Sequence, residues 1–391
     1  MAWLKFLLPV VAAAVATPAV AQDCGGDFAP WRAGVAEEAS AAGVGSRGLD
    51  ALAQARIDPR VLARDRSQGV FAQTFTEFAG RMISDYRLKQ GAANMKRYAE
   101  VFARAEQEYG IPAPVITAFW ALETDFGAVQ GDFSTLDALT TLAHDCRRPQ
   151  LFRPQLIALL KIIDIGELPI DVKGAWAGEI GQAQMLPSDY LQKGIDGDGD
   201  GHVDLRGSAP DVIMTTANKL KILGWRPGEP WMREVRVPSD MPWEETGRTN
   251  KLPHSQWSAW GVTSRDGSPL GEGPAAGLVL PMGRLGPAFL VYENFDIYLE
   301  WNQSFTYTLT AAHLARRLAG DPAFDRRNPE PGLSMDEMKQ LQQKLVDRGY
   351  DVGGVDGILG VATREAVRQE QIRLGFAVDG WPTRTLMASL F

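Results

Sequence analysis

The chain has 391 residues, 45% hydrophobic and 23% charged, proportions that set aside a disordered or fibrous protein and leave room for two or three domains. A formal net charge of -8 offers no basic footprint, so no nucleic-acid partner is expected. The four histidines (His144, His202, His254 and His313) are scattered and neither cysteine lies in a CxxC, which argues against zinc chemistry.

In chain order, residues 1–21 read as a secretory signal. Lys5 supplies the positive start, residues 6–16 an apolar run, and Ala19-Val20-Ala21 a small-x-small cleavage site. Pro18 and Gln22-Asp23 close that run before the ~20 apolar residues a membrane span needs. The expectation is a soluble, exported, periplasmic protein cleaved after Ala21, with no stable membrane anchor; a retained anchor is the alternative. In an oxidising compartment the isolated pair Cys24 and Cys146 predicts one disulfide tying the mature N-terminus to the core, against two buried free thiols.

Residues 28–110 read as helices closing on glycine: WRAGVAEEASAAG, FAQTFTEFAGRMISDYRLKQG and ANMKRYAEVFARAEQEYG. Gly43-Val-Gly45-Ser-Arg-Gly48 matches GxGxxG, but helical sequence rather than a strand precedes it, so a dinucleotide site fails on context.

The next helix, IPAPVITAFWALETDFG, opens on Pro112 and Pro114 and ends near Glu123. Helical spacing puts Ile116, Phe119, Trp120 and Phe126 on the face of Glu123 and turns Asp125 nearly opposite. A carboxylate among aromatic rings is poorly solvated, which raises its pKa and lets it serve as a general acid near neutrality. The alternative is a helix-end Glu whose carboxylate escapes to solvent.

Helices follow in STLDALTTLA, with Ser134 as N-cap, and in PQLIALLKIIDIG. The stretch KGAWAGEIGQAQMLPSDYLQKG is glycine-broken, then helical from Pro187, and APDVIMTTANKLKILGW makes one more long helix. Between them Asp196-Gly-Asp198-Gly-Asp200-Gly201 reads as the first half of a calcium loop, hard oxygens converging on one cation. Position twelve is Gly207 rather than a bidentate Glu, so Asp204 or Asp211 must close the shell and His202 would give its backbone carbonyl. The motif holds no base or nucleophile, and the Ca2+ it implies is structural; a solvated acidic turn is the alternative.

Residues 226–291 are rich in Trp, Pro and Gly, with short extended pieces such as REVRVP, and YTLTAAHLARRLAG closes the large domain as a helix. Trp225, Trp231, Trp243, Trp257, Trp260 and Trp301 serve either as core or as a stacking groove for sugars. Glu300-Trp301-Asn302-Gln303, a polar run around an aromatic, is the better binding candidate. No GxSxG, P-loop or HExxH occurs. Residues 321–332 are polar and proline-containing and read as a linker. Beyond it, Gly349-Tyr350-Asp351-Val352 with Asp356-Gly357 and Thr363 is echoed by Gly375-Phe376-Ala377-Val378 with Asp379-Gly380 and Thr383, two copies of one helical unit.

The segment ALETDFG closely resembles the catalytic motif of the membrane-bound lytic murein transglycosylase B family. The likeness continues through TLDALTTLAHDCRR, KGAWAGEIGQAQMLPSDY, DGDGDGHVDL, TANKLKILGW and WNQSFTY, covering residues 28–320, and residues 333–391 resemble a peptidoglycan-binding domain. The resemblance implies a mainly α, lysozyme-like catalytic domain (22–320) with an EF-hand-like loop, a linker (321–332) and a small helical bundle (333–391). It implies cleavage of the MurNAc–GlcNAc bond of peptidoglycan glycan strands to a 1,6-anhydro-muramyl end, with no catalytic cofactor. Glu123 matches the single acid/base, Gln184 a glutamine touching the sugar, Arg147 and Arg148 a basic pair in the groove, and Asn302 and Tyr307 saccharide contacts. Trp301 stands where some relatives carry tyrosine and Ala175 where some carry serine. Implied partners are glycan strands and proteins of cell-wall synthesis or remodelling. A hydrolytic muramidase on the same scaffold and a non-catalytic wall-binding scaffold remain the rival readings.

Overall fold

A computed structural model describes residues 24–67 and 73–390; the expected export signal lies outside them. The N-terminal half is a run of short helices. α1 (Phe28–Ala41) starts on the Asp27 carboxylate, which accepts the Ala29 N–H at 3.2 Å. In α2 (Ser46–Gln54) the amides of Gly45 and Gly48 donate to Asp164 at 3.0 and 3.1 Å. The GxGxxG glycines thus hold an anion, but the anion is the protein's own side chain. α3 (Pro59–Asp65), α4 (Phe75–Met82), α5 (Asp85–Arg97) and α6 (Ala99–Tyr109) follow.

The helix expected over 71–91 is interrupted at Ile83, where Ser84 Oγ accepts the Arg87 N–H and starts α5. Gly91 does not end a helix as expected. It lies inside α5 because a Cβ there would meet Leu318 at 2.8 Å, so the glycine serves close packing.

α7 (Ala113–Thr124) is the central rod, with every residue from Val115 to Leu122 buried. Each such apolar side chain contributes ~1.5–3 kcal/mol on burial. β1 (Phe133–Ser134) pairs antiparallel with β2 (Lys173–Gly174) around α8 (Thr135–His144) and α9 (Pro149–Asp164). α10 (Pro187–Lys193) and α11 (Ala209–Ile222) complete this layer.

The Trp-rich stretch forms an antiparallel sheet, β3 (Met232–Arg236), β4 (Thr263–Ser264), β5 (Gly277–Val279) and β6 (Ala288–Val291) in the order β4-β3-β6-β5, with α12 (His254–Ala259) on it. Trp225, Trp231, Trp243 and Trp257 are buried core, so the groove reading fails for these four, and Trp260 is partly buried against the sheet cluster. α13 (Glu293–Trp301) and α14 (Phe305–Leu318) return to the helical body and lay α14 along α7. The expected disulfide is present between Cys24 and Cys146.

The C-terminal module is α15 (Met335–Asp347), α16 (Val361–Leu374) and α17 (Arg384–Ala388). Its internal echo has a shared mechanism. Gln342 holds Asp356 at 3.0 Å and the Gly357 N–H at 2.7 Å; Gln371 holds Asp379 at 2.8 Å and the Gly380 N–H at 2.9 Å. The expected linker does not run free. Phe324 packs on His313 and Phe75, and the Asp325 N–H donates to Glu234 at 2.7 Å.

The module itself is docked on the large domain. Trp381 joins that domain's core, Arg364 donates to the Pro281 carbonyl at 2.6 Å, and Arg368 donates to the Glu244 carbonyl at 2.7 Å. A cavity of about 590 Å³ lies between the two bodies, lined by Arg248, Asn250, Leu280, Phe305, Arg364 and Glu365 among others.

Candidate active site

Glu123 sits in the last turn of α7, half-buried, where the chain leaves the helix through left-handed Asp125 and Phe126. Two consecutive non-glycine residues at positive φ are rare. The Arg87 guanidinium secures the turn by pairing with Asp125 at 2.6 Å. Gly127 then takes φ +89°, and a Cβ there would meet Gln182 Oε1 at 2.6 Å. Asp125 lies beyond the helix end, so helical spacing does not place it; its carboxylate pairs with Arg87. Phe126 does not share the face of Glu123, because the helix ends at Thr124; its ring meets Trp120 edge-on at 5.4 Å.

One oxygen of Glu123 accepts two hydrogen bonds, from the Tyr307 hydroxyl at 2.5 Å and from the Trp301 indole N–H at 2.9 Å. Phe119 packs on the Trp301 ring at 4.4 Å, and the Lys219 ammonium lies 4.2 Å from that ring's centre. Burial drives the Glu123 carboxyl above the ordinary value; the bonds from Tyr307 and Trp301 and the charge of Lys219 pull the other way without cancelling it. Burial also holds Tyr307 as a neutral phenol, an effect the nearby Glu123 charge reinforces, so it remains a donor. The result is a carboxyl whose protonated form burial favours and which already has two donors aimed at the anion it becomes.

Behind the acid, Gln182 braces the site: it accepts the Trp120 indole N–H at 2.8 Å and donates to the Arg206 carbonyl at 3.0 Å. Gln184 has φ +49°, and its amide folds back to donate to the Gly181 carbonyl at 2.9 Å. Asn302 caps α13 and accepts the Ser304 N–H at 3.0 Å, turning the chain from Trp301 toward Tyr307.

Arg147 and Arg148 converge, as a basic pair should, but on a buried partner: both bind Asp65, Arg147 at 2.6 Å. Burial would raise Asp65, and the two guanidiniums more than offset it, leaving the carboxylate firmly charged. Half of the pair's charge is therefore spent inside the protein, while the side chains remain 47% and 36% exposed.

Sequence reasoning missed Glu179, a second carboxyl in the glycine-rich turn before Gln182. Burial raises it, the Glu123 charge adds to the rise and Arg148 opposes it. Lys219, Asp189 and Lys193 were missed as well; Asp189 and Lys193 carry only the i,i+4 spacing of opposite charges, common on any surface, and Lys219 carries no such signal.

In the acidic loop, carboxylate oxygens of Asp196, Asp198 and Asp211 lie within 4.8 Å of one another. Asp211 rather than Asp204 closes this cluster. Asp204 caps the Arg206 and Gly207 N–H groups at 2.9 Å, and Asp200 accepts the His202 N–H at 2.8 Å. The His202 ring lies toward Glu167, at 3.5 Å. Three like charges gathered with no ammonium or guanidinium between them, among the described residues, fit a hard divalent cation.

Comparison with known proteins gives the family of the chain. Residues 27–316 match the family model described as transglycosylase SLT domain, and residues 334–390 match a peptidoglycan binding domain. Membrane-bound lytic murein transglycosylase B of Escherichia coli (strain K12) is 31% identical over 61% of this chain, which spans 66% of that relative. SltB3 from Pseudomonas aeruginosa, solved with NAG-anhNAM-pentapeptide, is 36% identical with a TM-score of 0.86, covering 94% of this chain and 100% of that one. Escherichia coli Slt35, solved with calcium, is 29% identical with a TM-score of 0.64 over 76% of this chain and 96% of that one. The helical body is thus the lysozyme-like SLT fold. The chain belongs to the SLT-domain lytic transglycosylases, carbohydrate lyases of peptidoglycan, and carries a peptidoglycan-binding domain at its C-terminal end.

Proposed function

We propose that Glu123 is the single acid and base with which this chain cleaves the MurNAc–GlcNAc β-1,4 bond, leaving a 1,6-anhydro-muramyl end. The observation that carries the reading is the pair of donors on one oxygen of a half-buried carboxyl. Protonated, Glu123 gives its proton to the glycosidic oxygen as the C1–O bond breaks. The carboxylate left behind, held by Tyr307 and Trp301, takes the proton of the muramyl C6 hydroxyl while that oxygen closes on C1. The substrate's N-acetyl oxygen shields C1 between the two steps. Burial disfavours the charged form of Glu179, so we do not assign it as the nucleophile of a hydrolytic route.

Gln184, Asn302, Tyr307 and Trp301 are assigned to the sugars and the exposed flanks of Arg147 and Arg148 to muramyl carboxyl or peptide groups. Asp196, Asp198 and Asp211 would hold a structural Ca2+, which would neutralise their mutual repulsion. No helix among the described residues is long and apolar enough to cross a membrane, and the signal-like residues 1–21 support export to the periplasm. The cell-wall partners and the division at 22–320, 321–332 and 333–391 are likewise our assignments.

Mass spectrometry of digested sacculi tests the reaction: anhydro ends lighter than reducing ends by one water are expected. Glu123→Gln keeps the shape without the proton and should lose at least about 10³-fold in rate. Reducing ends, or turnover unchanged by that substitution, would overturn the assignment. Chelation should lower Tm more than activity at a permissive temperature; identical melting curves would remove the ion.

A further inference from the structure

We propose that Lys219 is a positioning residue for the acid, its ammonium polarising the Trp301 indole whose N–H donates to Glu123. The inference rests on the assignment of Glu123 as the acid. Lys219 projects from α11, 12% exposed, with Nζ 4.2 Å from the centre of the Trp301 ring and 2.7 Å from Asp189. Lys193 takes the other oxygen of the same carboxylate at 2.6 Å. Two ammoniums thus share one carboxylate, and the cluster keeps a net positive charge against the indole. Such a packing has a purpose that simple charge pairing does not supply, since one lysine already neutralises Asp189.

A cation over an aromatic face draws π density toward itself and leaves the ring's N–H a stronger donor. That donor points at Glu123, 2.9 Å away. Its gain is largest once Glu123 is a carboxylate, which is the state that develops as the proton passes to the glycosidic oxygen. An interaction stronger in the transition state than in the ground state accelerates the step. Lys219 also acts on Glu123 directly through its field, countering the desolvation that would otherwise make the carboxyl too weak an acid. The other charged and titratable groups around the acid are Tyr307 with Arg87 and Tyr298 behind it, Glu179 with Arg148, and Asp189 with Lys193.

The Trp301 indole 1H–15N resonance reads the coupling without turnover. In the full chain its shift should titrate with Glu123 and cease to titrate in Glu123→Gln. Lys219→Met should move the midpoint up by about half a pH unit or more, and Lys219→Gln, which keeps a hydrogen bond to Asp189 without the charge, should do the same. Lys219→Arg retains both cation and pair and should restore the native midpoint. The alkaline limb of kcat/KM should move with the resonance in the Met and Gln variants, with kcat down about tenfold and KM within about twofold. A midpoint unmoved in folded Met and Gln variants, or an Arg variant no better than Met, overturns the proposal. Retained turnover in Glu123→Gln would instead sink the acid assignment while the resonance still judged the coupling.

Discussion

A carboxyl with raised pKa is useful as an acid only while protonated, so activity should fall as pH climbs through the folded value of Glu123. Tyr307 and Trp301 lower that value from the level burial alone would set. Tyr307→Phe removes one donor and should therefore shift the alkaline limb to higher pH. It should also lower kcat, because the developing carboxylate loses a hydrogen bond worth about 1.5–3 kcal/mol, roughly 10- to 150-fold in rate. Stopped assays across pH 5–10 on the two proteins would check both effects. The sequence made Glu123 legible because an apolar helix ending in one carboxylate is unusual. It could not show Trp301 and Tyr307 meeting that carboxylate, since they lie 178 and 184 residues away. Periodicity speaks only of neighbours on one helix, so Lys219 was invisible, and Phe126 was misplaced because the helix stops at Thr124.

Elements were legible where a helix carried its own stop signal. α6 ends on left-handed Gly110 and α16 on left-handed Gly375, both readable from glycine alone. The break between α4 and α5 was not, because its signal is the single N-cap Ser84 inside an otherwise helical run, and Gly91 misled because it serves packing against Leu318. At this scale His313 on α14 sets a pH dependence. Burial, with help from Arg317, Arg265 and Arg316, brings its pKa down to about 3, and its Nε2 accepts the Phe324 N–H at 3.3 Å as a neutral ring must. The unfolded chain binds a proton near pH 6.5 that the folded chain refuses until about 3. Stability should accordingly decline as pH falls through that window and level off below it. His313→Gln, which keeps an acceptor, should flatten the decline by roughly 1.4 kcal/mol per pH unit, read from Tm against pH. Reducing the Cys24–Cys146 bond should lower stability by about 2–4 kcal/mol, measurable by urea titration with and without reductant.

For the whole molecule, the sequence offered a large helical body, a small repeated module and a linker between them, without showing that residues 324–328 are pinned to the large body. Composition reports polarity, and a polar strap pinned by Phe324, Asp325 and Asn328 is as polar as a free one. Trp381 is the anchor: it is 5% exposed and donates its indole N–H to the Glu330 carbonyl at 3.1 Å. Calorimetry should find one cooperative transition for the native chain. Trp381→Ala should cost about 3–5 kcal/mol at the joint and split the melt into two transitions, the module's first.

That weld has a mechanical corollary. An enzyme whose grip and whose cutting edge are cast in one piece has no stride. Once seated on an insoluble lattice it is expected to trim only the bonds its own body already spans and to lift off before it trims the next. Its pace on intact sacculi is then governed by how readily the module lets go, and soluble wall fragments competing for that grip should quicken rather than slow it.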